Sequence, residues 1–421
     1  MDINFARLNH ILIPSTKAGR DRFRRSLLGR AVGPLGFLYG AFTEEGRVLA
    51  AASAVVGAFG LDVRGTTVYL LWSALAGLLL SSLVGARFHR LEGVRIEVSV
   101  PRRVSLGDAI TFGLLVHNDG PRDRFALRVS GPFLPWDGEF TTPAPRVADL
   151  PAGASERVEI SARFSARGEH HLDAFSVAAL VPLGLALGPA VPSGGVKFLV
   201  VPRIASVARV STPPGTRYQP GGVALASSTG QALDLRGVRP YRAGDPVRLL
   251  HARSWARVGA PVVREYQEES FSRIGVVVDT AVSESRKLEA ILSLAAGVVA
   301  HLSRGEALID LLVVGERVHE LTIGRHLGFL DQALDVLACV EPEKKRPSPE
   351  ALVARLGAHL GRLSCVVVIA GAWDGGVLGE RIRERGVGCV TAVVGGPSEL
   401  QGPGVVTVSV HAIEGGEALS I

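Results

Sequence analysis

Two apolar runs dominate the pattern near the amino terminus. Thr66–Ala86, "TTVYLLWSALAGLLLSSLVGA", carries no charged residue over 21 positions. A bilayer core is crossed by ~20 apolar residues, so the run predicts a transmembrane helix. Val48–Leu61, "VLAAASAVVGAFGL", is 14 residues long and on its own fits a core helix. Asp62 and Arg64 form a short polar turn between the two runs, so together they predict a helical hairpin in the membrane over 48–86.

From Gly93 the period changes to two. Val94, Ile96, Val98 and Val100 alternate with Arg95, Glu97 and Ser99, and Val158, Ile160, Ala162 and Phe164 alternate in the same way. Alternation marks strands with one buried face. Turn chemistry at Asn118–Pro121 and Pro151–Ala154 separates such strands, and 93–205 is expected to form a small antiparallel β-sandwich. The pair His170-His171 reads as part of a surface strand. Ser211–Gly222, "STPPGTRYQPGG", reads as a linker, and 206–272 joins the sandwich to a different pattern.

That pattern begins at Arg273. "RIGVVVD" (Arg273–Asp279), "ALIDLLVVG" (Ala307–Gly315), "SCVVVIAG" (Ser364–Gly371), "GCVTAVVG" (Gly388–Gly395) and "GVVTVSV" (Gly404–Val410) are apolar runs expected of strands buried on both faces. "RVHELTIG" (Arg317–Gly324) alternates, while Ser285–Leu302 and Leu327–Ala338 have helical spacing. Strands alternating with helices predict a mostly parallel, doubly wound α/β domain over 273–421.

Composition agrees with a membrane element: hydrophobic residues make up 47% of 421 and charged residues 20%. The net charge of +6 is concentrated in 1–47, where 8 Lys/Arg face 4 Asp/Glu. This basic segment precedes the apolar pair, and Arg87 and Arg90 follow it, so both flanks are expected in the cytoplasm of a bacterial-type inner membrane. If only the second run spans, the large carboxyl-terminal region lies on the opposite side. The apolar runs start too far from Met1 for a cleavable signal peptide. Cys339, Cys365 and Cys389 are odd in number and contain no C-x-x-C pair, which argues against a disulfide framework or a zinc cluster. Cys365 and Cys389 open apolar strands and read as buried thiols.

The chemistry concentrates in Asp234–Glu269. Seven arginines (Arg236, Arg239, Arg242, Arg248, Arg253, Arg257, Arg264) face five acids (Asp234, Asp245, Glu265, Glu268, Glu269). Nucleic-acid surfaces carry an uncompensated cationic excess, so this near-balance argues against that reading. Arginine pairs bidentately with carboxylates, and the stretch is expected to order a domain junction or dock another protein. No P-loop, H-E-x-x-H or G-x-S-x-G framework is present.

The same stretch, "LDLRGVRPYRAGDPVRLLHARSWARVGAPVVREYQEE", resembles the signature of the domain-of-unknown-function 58 family. The matching positions are Arg236-Gly237, Arg239, Tyr241, Gly244-Asp245, Arg248, His251, Arg253, Ala256-Arg257 and Val263-Arg264-Glu265-Tyr266. Trp255 stands later than the family's usual tryptophan, Ala252 taking its place. Val201-Pro202-Arg203-Ile204 resembles the strand that precedes the signature, and Leu180–Gly188 lacks the Asp and Phe of the family's element there. The resemblance implies a membrane hairpin, a β-rich segment and a von Willebrand A-like domain. It also implies association with MoxR-type AAA+ ATPases and no enzymatic activity.

Such A-type domains often place D-x-S-x-S after the first strand, holding a divalent cation through oxygens. Here Asp279 and Ser283 are kept, but Ala281 offers no lone pair, and Asp374 in "GAWDGG" is a distant carboxylate. No cofactor is therefore expected, with Mg2+ at these three residues as the alternative. The leading expectation is a membrane-anchored adaptor whose partner-binding or junction residues are Arg236, Arg239, Tyr241, Arg242, Asp245, Arg248, His251, Arg253, Arg257, Arg264 and Glu265. The rivals are a cation-dependent ligand-binding module and an unrecognised hydrolase.

Overall fold

In the computed structural model, the residues described are 22, 25–26, 40–59, 66–213, 235–245, 247–266, 273–305, 307–314, 318–323, 329–343, 348–396, 402 and 404–421. Most of the basic segment 1–47, the polar turn at 62–64 and the linker from 214 onward lie outside them. The chain divides into two compact units, Met1–Val201 and Pro202–Ile421.

The first unit begins with helices α1 (Glu44–Phe59) and α2 (Thr66–Ala86). At 1.5 Å per residue, α2 is about 31 Å long, enough to cross a bilayer core, whereas α1 reaches only about 24 Å. Among the described residues one helix is long and apolar enough to span, Thr67–Ala86, with a mean hydropathy of 1.8. The two helices touch closely at Gly57, where a Cβ would meet Trp72 Nε1 at 2.4 Å. The first turn of α1 is tied down by ion pairs from Arg128 to Glu44 (3.3 Å) and from Arg146 to Glu45 (3.1 Å). Phe42, Leu79, Ala86, Val181 and Ala186 form a small apolar cluster at the end of α2.

The rest of this unit is β structure. One antiparallel sheet runs β1 (Val94–Ser99), β3 (Ala109–Asn118), β7 (Ser155–Phe164), β5 (Gly138–Phe140). A second runs β10 (Val191–Pro192), β9 (Ser176–Ala179), β4 (Arg124–Ser130), β6 (Arg146–Leu150). A third runs β2 (Arg103–Ser105), β11 (Val196–Val201), β8 (Gly168–Leu172), with β2 and β11 parallel. Period-two patterning sends Ile110, Phe112, Leu114 and Val116 of β3 inward with Ile160, Ala162 and Phe164 of β7. Their common core includes Phe175 and Phe198, whose rings lie 5.1 and 5.8 Å from that of Phe112.

His170 enters this core from β8, while His171 stays exposed, so only one of the two histidines occupies the surface expected of both. Strand alternation is the reason. The His170 ring stacks on Phe198 at 5.6 Å and meets Phe164 edge-on at 4.8 Å. Its Nε2 lies 2.8 Å from Oδ2 of buried Asp137, and its Nδ1 lies 3.1 Å from the Gly168 carbonyl. A carbonyl and a carboxylate accept, so the cationic imidazole, donating from both ring nitrogens, is the form that satisfies both contacts. Burial alone pulls its pKa down. The Asp137 hydrogen bond, the Gly168 carbonyl and the Asp137 charge together outweigh burial and raise it.

The second unit is built on a six-stranded sheet in the order β17 (Val318–Ile323), β16 (Leu308–Val314), β15 (Arg273–Asp279), β18 (Cys365–Ala370), β19 (Gly388–Val394), β20 (Val405–Val408). All neighbours are parallel except β16 and β17. The apolar runs of β15, β16, β18 and β19 are buried almost throughout, as both-face coverage requires. Helices α4 (Ser285–Leu302), α5 (Phe329–Ala338), α6 (Pro349–Leu360) and α7 (Val377–Glu384) are interspersed with the strands. Helix α4 comes so close to the preceding chain that a Cβ on Gly297 would meet the Ala205 carbonyl oxygen at 2.4 Å. Beyond β20, Val410 opens a short helix, α8 (Val410–Glu414), instead of continuing the strand. The last strand, β21 (Leu419–Ser420), pairs in parallel with β12 (Val207–Arg209).

Candidate interaction site

The arginine-rich stretch folds as an antiparallel hairpin of β13 (Leu235–Pro240) and β14 (Val262–Tyr266), with helix α3 (Ala252–Val258) in its connection. The connection returns to the hairpin through the Leu250–Val263 bridge and the His251 N–H, which donates to the Val262 carbonyl at 2.8 Å. Val262 and Val263 are buried beneath these contacts. Helix α3 ends at Gly259, whose φ of 76° lets its N–H reach back to the Trp255 carbonyl at 2.9 Å. That left-handed cap favours glycine.

One arginine is committed to holding the module together. Arg239 forks onto Asp245, with Nη1–Oδ2 at 2.7 Å and Nη2–Oδ1 at 2.8 Å. Asp245 Oδ2 also accepts the Arg242 N–H at 2.8 Å, closing a tight turn in which Gly244 takes φ 105°. The Arg239 guanidinium, and then the Arg242 amide, hold the Asp245 carboxyl down to about 2. Tyr241 is fixed through its main chain, its N–H donating to the Pro261 carbonyl at 2.9 Å. His251 Nδ1 is hydrogen-bonded to Ser254 Oγ at 2.7 Å.

The side chains of Arg242, Arg248, Arg253, Arg257 and Arg264 point outward. Among the described residues, none of the five lies within ion-pair distance of a carboxylate. Arg236 and Glu265 lie in the two strands, but their side chains, and Asp234, Glu268 and Glu269, fall outside the described residues. Interleaved with the outward cations are exposed apolar groups: Val247 (72%), Val258 (67%), Trp255 (42%) and Tyr241 (37%). The module therefore separates into a clasp, Arg239–Asp245, and a set of exposed arginines and apolar side chains. That combination is favoured at protein interfaces, where Arg, Trp and Tyr are enriched.

The carboxyl ends of β15 and β18 form the place where strand order reverses, and open α/β sheets bind ligands in that crevice. Side chains of the chain itself approach its edges. A Cβ on Gly371 would meet Val282 Cγ2 at 2.6 Å, Ile291 Cδ1 at 3.1 Å and Lys287 Cε at 3.5 Å. The Lys287 ammonium also approaches Gly395, 3.5 Å from where its Cβ would stand. Asp279 is buried and accepts the Ala281 N–H at 3.0 Å, and Ser283 is exposed. Both oxygens of Asp374 are engaged by backbone, accepting from Gly376 at 3.0 Å and Leu378 at 2.9 Å at the start of α7. Among the described residues no three His, Cys, Asp or Glu side chains are grouped to hold a metal ion.

One buried charged group leaves no mark in the hydrophobic periodicity. Asp310 is fully buried in β16 and forked by Arg273, with Nε–Oδ2 at 2.8 Å and Nη2–Oδ1 at 3.0 Å. A carboxylate inside an apolar run was the available signal, since a buried charge requires a partner. Arg362 extends the group to Glu320. Arg273 opens β15, so the cluster lies toward the amino ends of the strands, away from the crevice. Cys365 and Cys389 are buried, and burial pushes their thiols up to about 12 and about 11.

A family model described as "Protein of unknown function DUF58" matches residues 237–421. No curated protein matches the chain. Among solved structures, Escherichia coli alpha-2-macroglobulin shows 20% identity over 27% of this chain and 7% of its own, with a TM-score of 0.21. The CARDB domain of the PF1109 protein from Pyrococcus furiosus shows 11% identity over 26% of this chain and 87% of its own, with a TM-score of 0.18. The alkylpurine DNA glycosylase AlkC of Pseudomonas fluorescens shows 17% identity, covering 35% of this chain and 41% of its own, with a TM-score of 0.17.

Proposed function

The chain carries a DUF58 domain over residues 237–421, and on that premise we propose that it is a membrane-anchored, non-enzymatic adaptor. In this reading α1 and α2 form the membrane hairpin, with both flanks in the cytoplasm. The β region is a sandwich that follows the anchor in the chain, and a von Willebrand A-like domain comes after it. The partner is a protein, and the resemblance points to a MoxR-type AAA+ ATPase. The observation that carries the reading is the exposure, around the signature hairpin, of five arginines among Tyr241, Val247, Trp255 and Val258. The mostly parallel sheet with interspersed helices supports the A-type domain.

The test separates docking from folding. Arg242→Glu combined with Arg253→Glu reverses two outward charges and leaves the Arg239–Asp245 clasp intact. Co-purification of the AAA+ ATPase with the full chain from native membranes is expected to fall by about tenfold or more, as interface arginines at hot spots contribute ~2 kcal/mol. Asp245→Asn should lower capture less, since it loosens the clasp without changing the exposed arginines. Undiminished capture by the double charge reversal, with the protein present at normal level in the membrane, refutes the docking role.

A further inference from the structure

A second site lies where α2 leaves the apolar run. A cavity of about 540 Å³ opens between the segment after α2, the start of β4 and the turn after β9. Its lining combines two chemistries. Phe88, Phe125 and Leu183 are 83%, 63% and 73% exposed, an unusual presentation for three large apolar side chains around one opening. Among them stand Arg90, which is exposed, and Arg124, which is half-buried.

Arg124 is positioned by main chain alone. Its Nη1 donates to the Arg90 carbonyl at 3.3 Å and its Nη2 to the Glu92 carbonyl at 2.7 Å. Its Nε is buried without a hydrogen-bond partner, and among the described residues no carboxylate lies within ion-pair distance. Asp123 also lines the cavity, but its Oδ1 accepts the Ala152 N–H at 2.9 Å. An oriented guanidinium with an unused donor suits a phosphate oxygen.

The backbone sharpens the picture. Among the described residues only two non-glycine residues have positive φ, Ala126 (52°) and Leu183 (73°), and both line this cavity. Left-handed backbone at such residues is strained and persists where the surroundings fix it. Leu180 N–H to the Ala126 carbonyl (2.7 Å) and Thr43 Oγ1 to the Gly184 carbonyl (2.7 Å) fix it here. Ala126 breaks the alternation of β4, leaving Phe125 and Ala126 exposed in succession. Leu183 sits at the tip of a turn whose Val181 and Ala186 pack against Ala86, the last residue of α2. The exposed apolar groups are therefore held level with the end of the apolar helix.

We propose that this cavity takes the anionic headgroup of a bilayer phospholipid. Arg124 and Arg90 meet the phosphate, and Phe88, Phe125 and Leu183 enter the adjoining acyl region. The inference rests on the membrane-anchor part of the proposed function. Position and amphipathic lining favour a lipid: interfacial anchors pair aromatic groups with cations at the level where a spanning helix ends.

The test uses the full chain reconstituted into vesicles of phosphatidylcholine alone or of phosphatidylcholine with phosphatidylglycerol. Flotation reads anchoring, and native mass spectrometry of the released protein reads retained lipid. Wild type is expected to float with both vesicles and to retain phosphatidylglycerol from the mixed ones. Arg90→Glu, which alters an exposed side chain and leaves its carbonyl for Arg124, should float equally and lose about tenfold in retention, the worth of one charge-assisted contact. Arg124→Gln should lose at least as much. Equal retention by wild type and Arg90→Glu overturns the proposal. So does displacement of the lipid by excess inorganic phosphate, which would assign the site to a free anion. Failure to float in either vesicle refutes the anchor alone. Titration of the detergent-solubilised chain with short-chain phosphatidylglycerol then still decides the cavity, saturable binding weakened by Arg90→Glu supporting it and no binding refuting it.

Discussion

Asp137→Asn removes a charge from the core of the β region while keeping its shape and an acceptor oxygen facing His170 Nε2. In the native protein that nitrogen donates to Asp137 at 2.8 Å, with both residues buried and Phe164 and Phe198 against the ring. The substitution forfeits the charge-assisted part of one buried hydrogen bond, so the expected loss at pH 6 is ~1.5–3 kcal/mol. Its pH dependence is more diagnostic than its size. In the native chain the folded-state pKa of His170 lies above its unfolded value. The stabilisation is therefore complete below the unfolded pKa, about 6.5, and is lost as pH rises through the folded one. Without the carboxylate, burial is the largest remaining influence and the Gly168 carbonyl the lesser. The folded pKa then falls below the unfolded value, and stability is lost as pH falls. Urea unfolding of the full chain in detergent, followed through Trp136 after Trp72, Trp255 and Trp373 are replaced by phenylalanine, reads both slopes. Parallel pH profiles for the native and Asp137→Asn proteins between pH 5.5 and 8.5 would refute a cationic His170.

Three further outcomes follow from other contacts. With Asp245 held to about 2, chiefly by Arg239, the clasp should persist as pH falls through the usual carboxylate range near 4 and open only toward pH 2. Amide exchange at Tyr241 and Arg242 should quicken at neutral pH in Asp245→Asn while amides of β15 stay protected. At pH 8 a thiol reagent should modify exposed Cys339 and spare Cys365 and Cys389, whose thiols are raised to about 12 and about 11, until denaturant is added. Gly297→Ala should destabilise the second unit by ~1–3 kcal/mol in thermal unfolding, because its methyl would stand 2.4 Å from a backbone oxygen that no side-chain rotation can move.

Much of the fold was legible because burial imposes period. The alternation at Val94–Ser99 and through Val158–Phe164 falls on strands, and the unbroken apolar runs from Arg273 and Cys365 fall on the central strands of the six-stranded sheet. What stayed hidden depended on contacts between distant positions. Asp137 and His170 are 33 residues apart, and nothing local marks them as partners. The arginine-rich stretch showed its charge balance but not its division of labour. Only the fork geometry separates Arg239, which closes a turn, from Arg242 three residues later, which faces outward. The cavity beneath α2 was illegible for the same reason. Phe88, Phe125 and Leu183 come from three separate segments, and the strained backbone at Ala126 and Leu183 has no sequence signature.

The pairing of β21 with β12 sets the order in which the second unit is completed during synthesis. Val207 and Leu419 lie 212 positions apart, yet they sit side by side, and the Ile421 N–H donates to the Arg209 carbonyl at 2.9 Å. A contact of such high sequence separation closes late and slowly. As the chain emerges from the ribosome, β12 must wait with an open flank while the central sheet is made between the two partners. Through that interval the unit presents an unpaired strand edge, the kind of surface on which nascent chains misassociate and which chaperones cover.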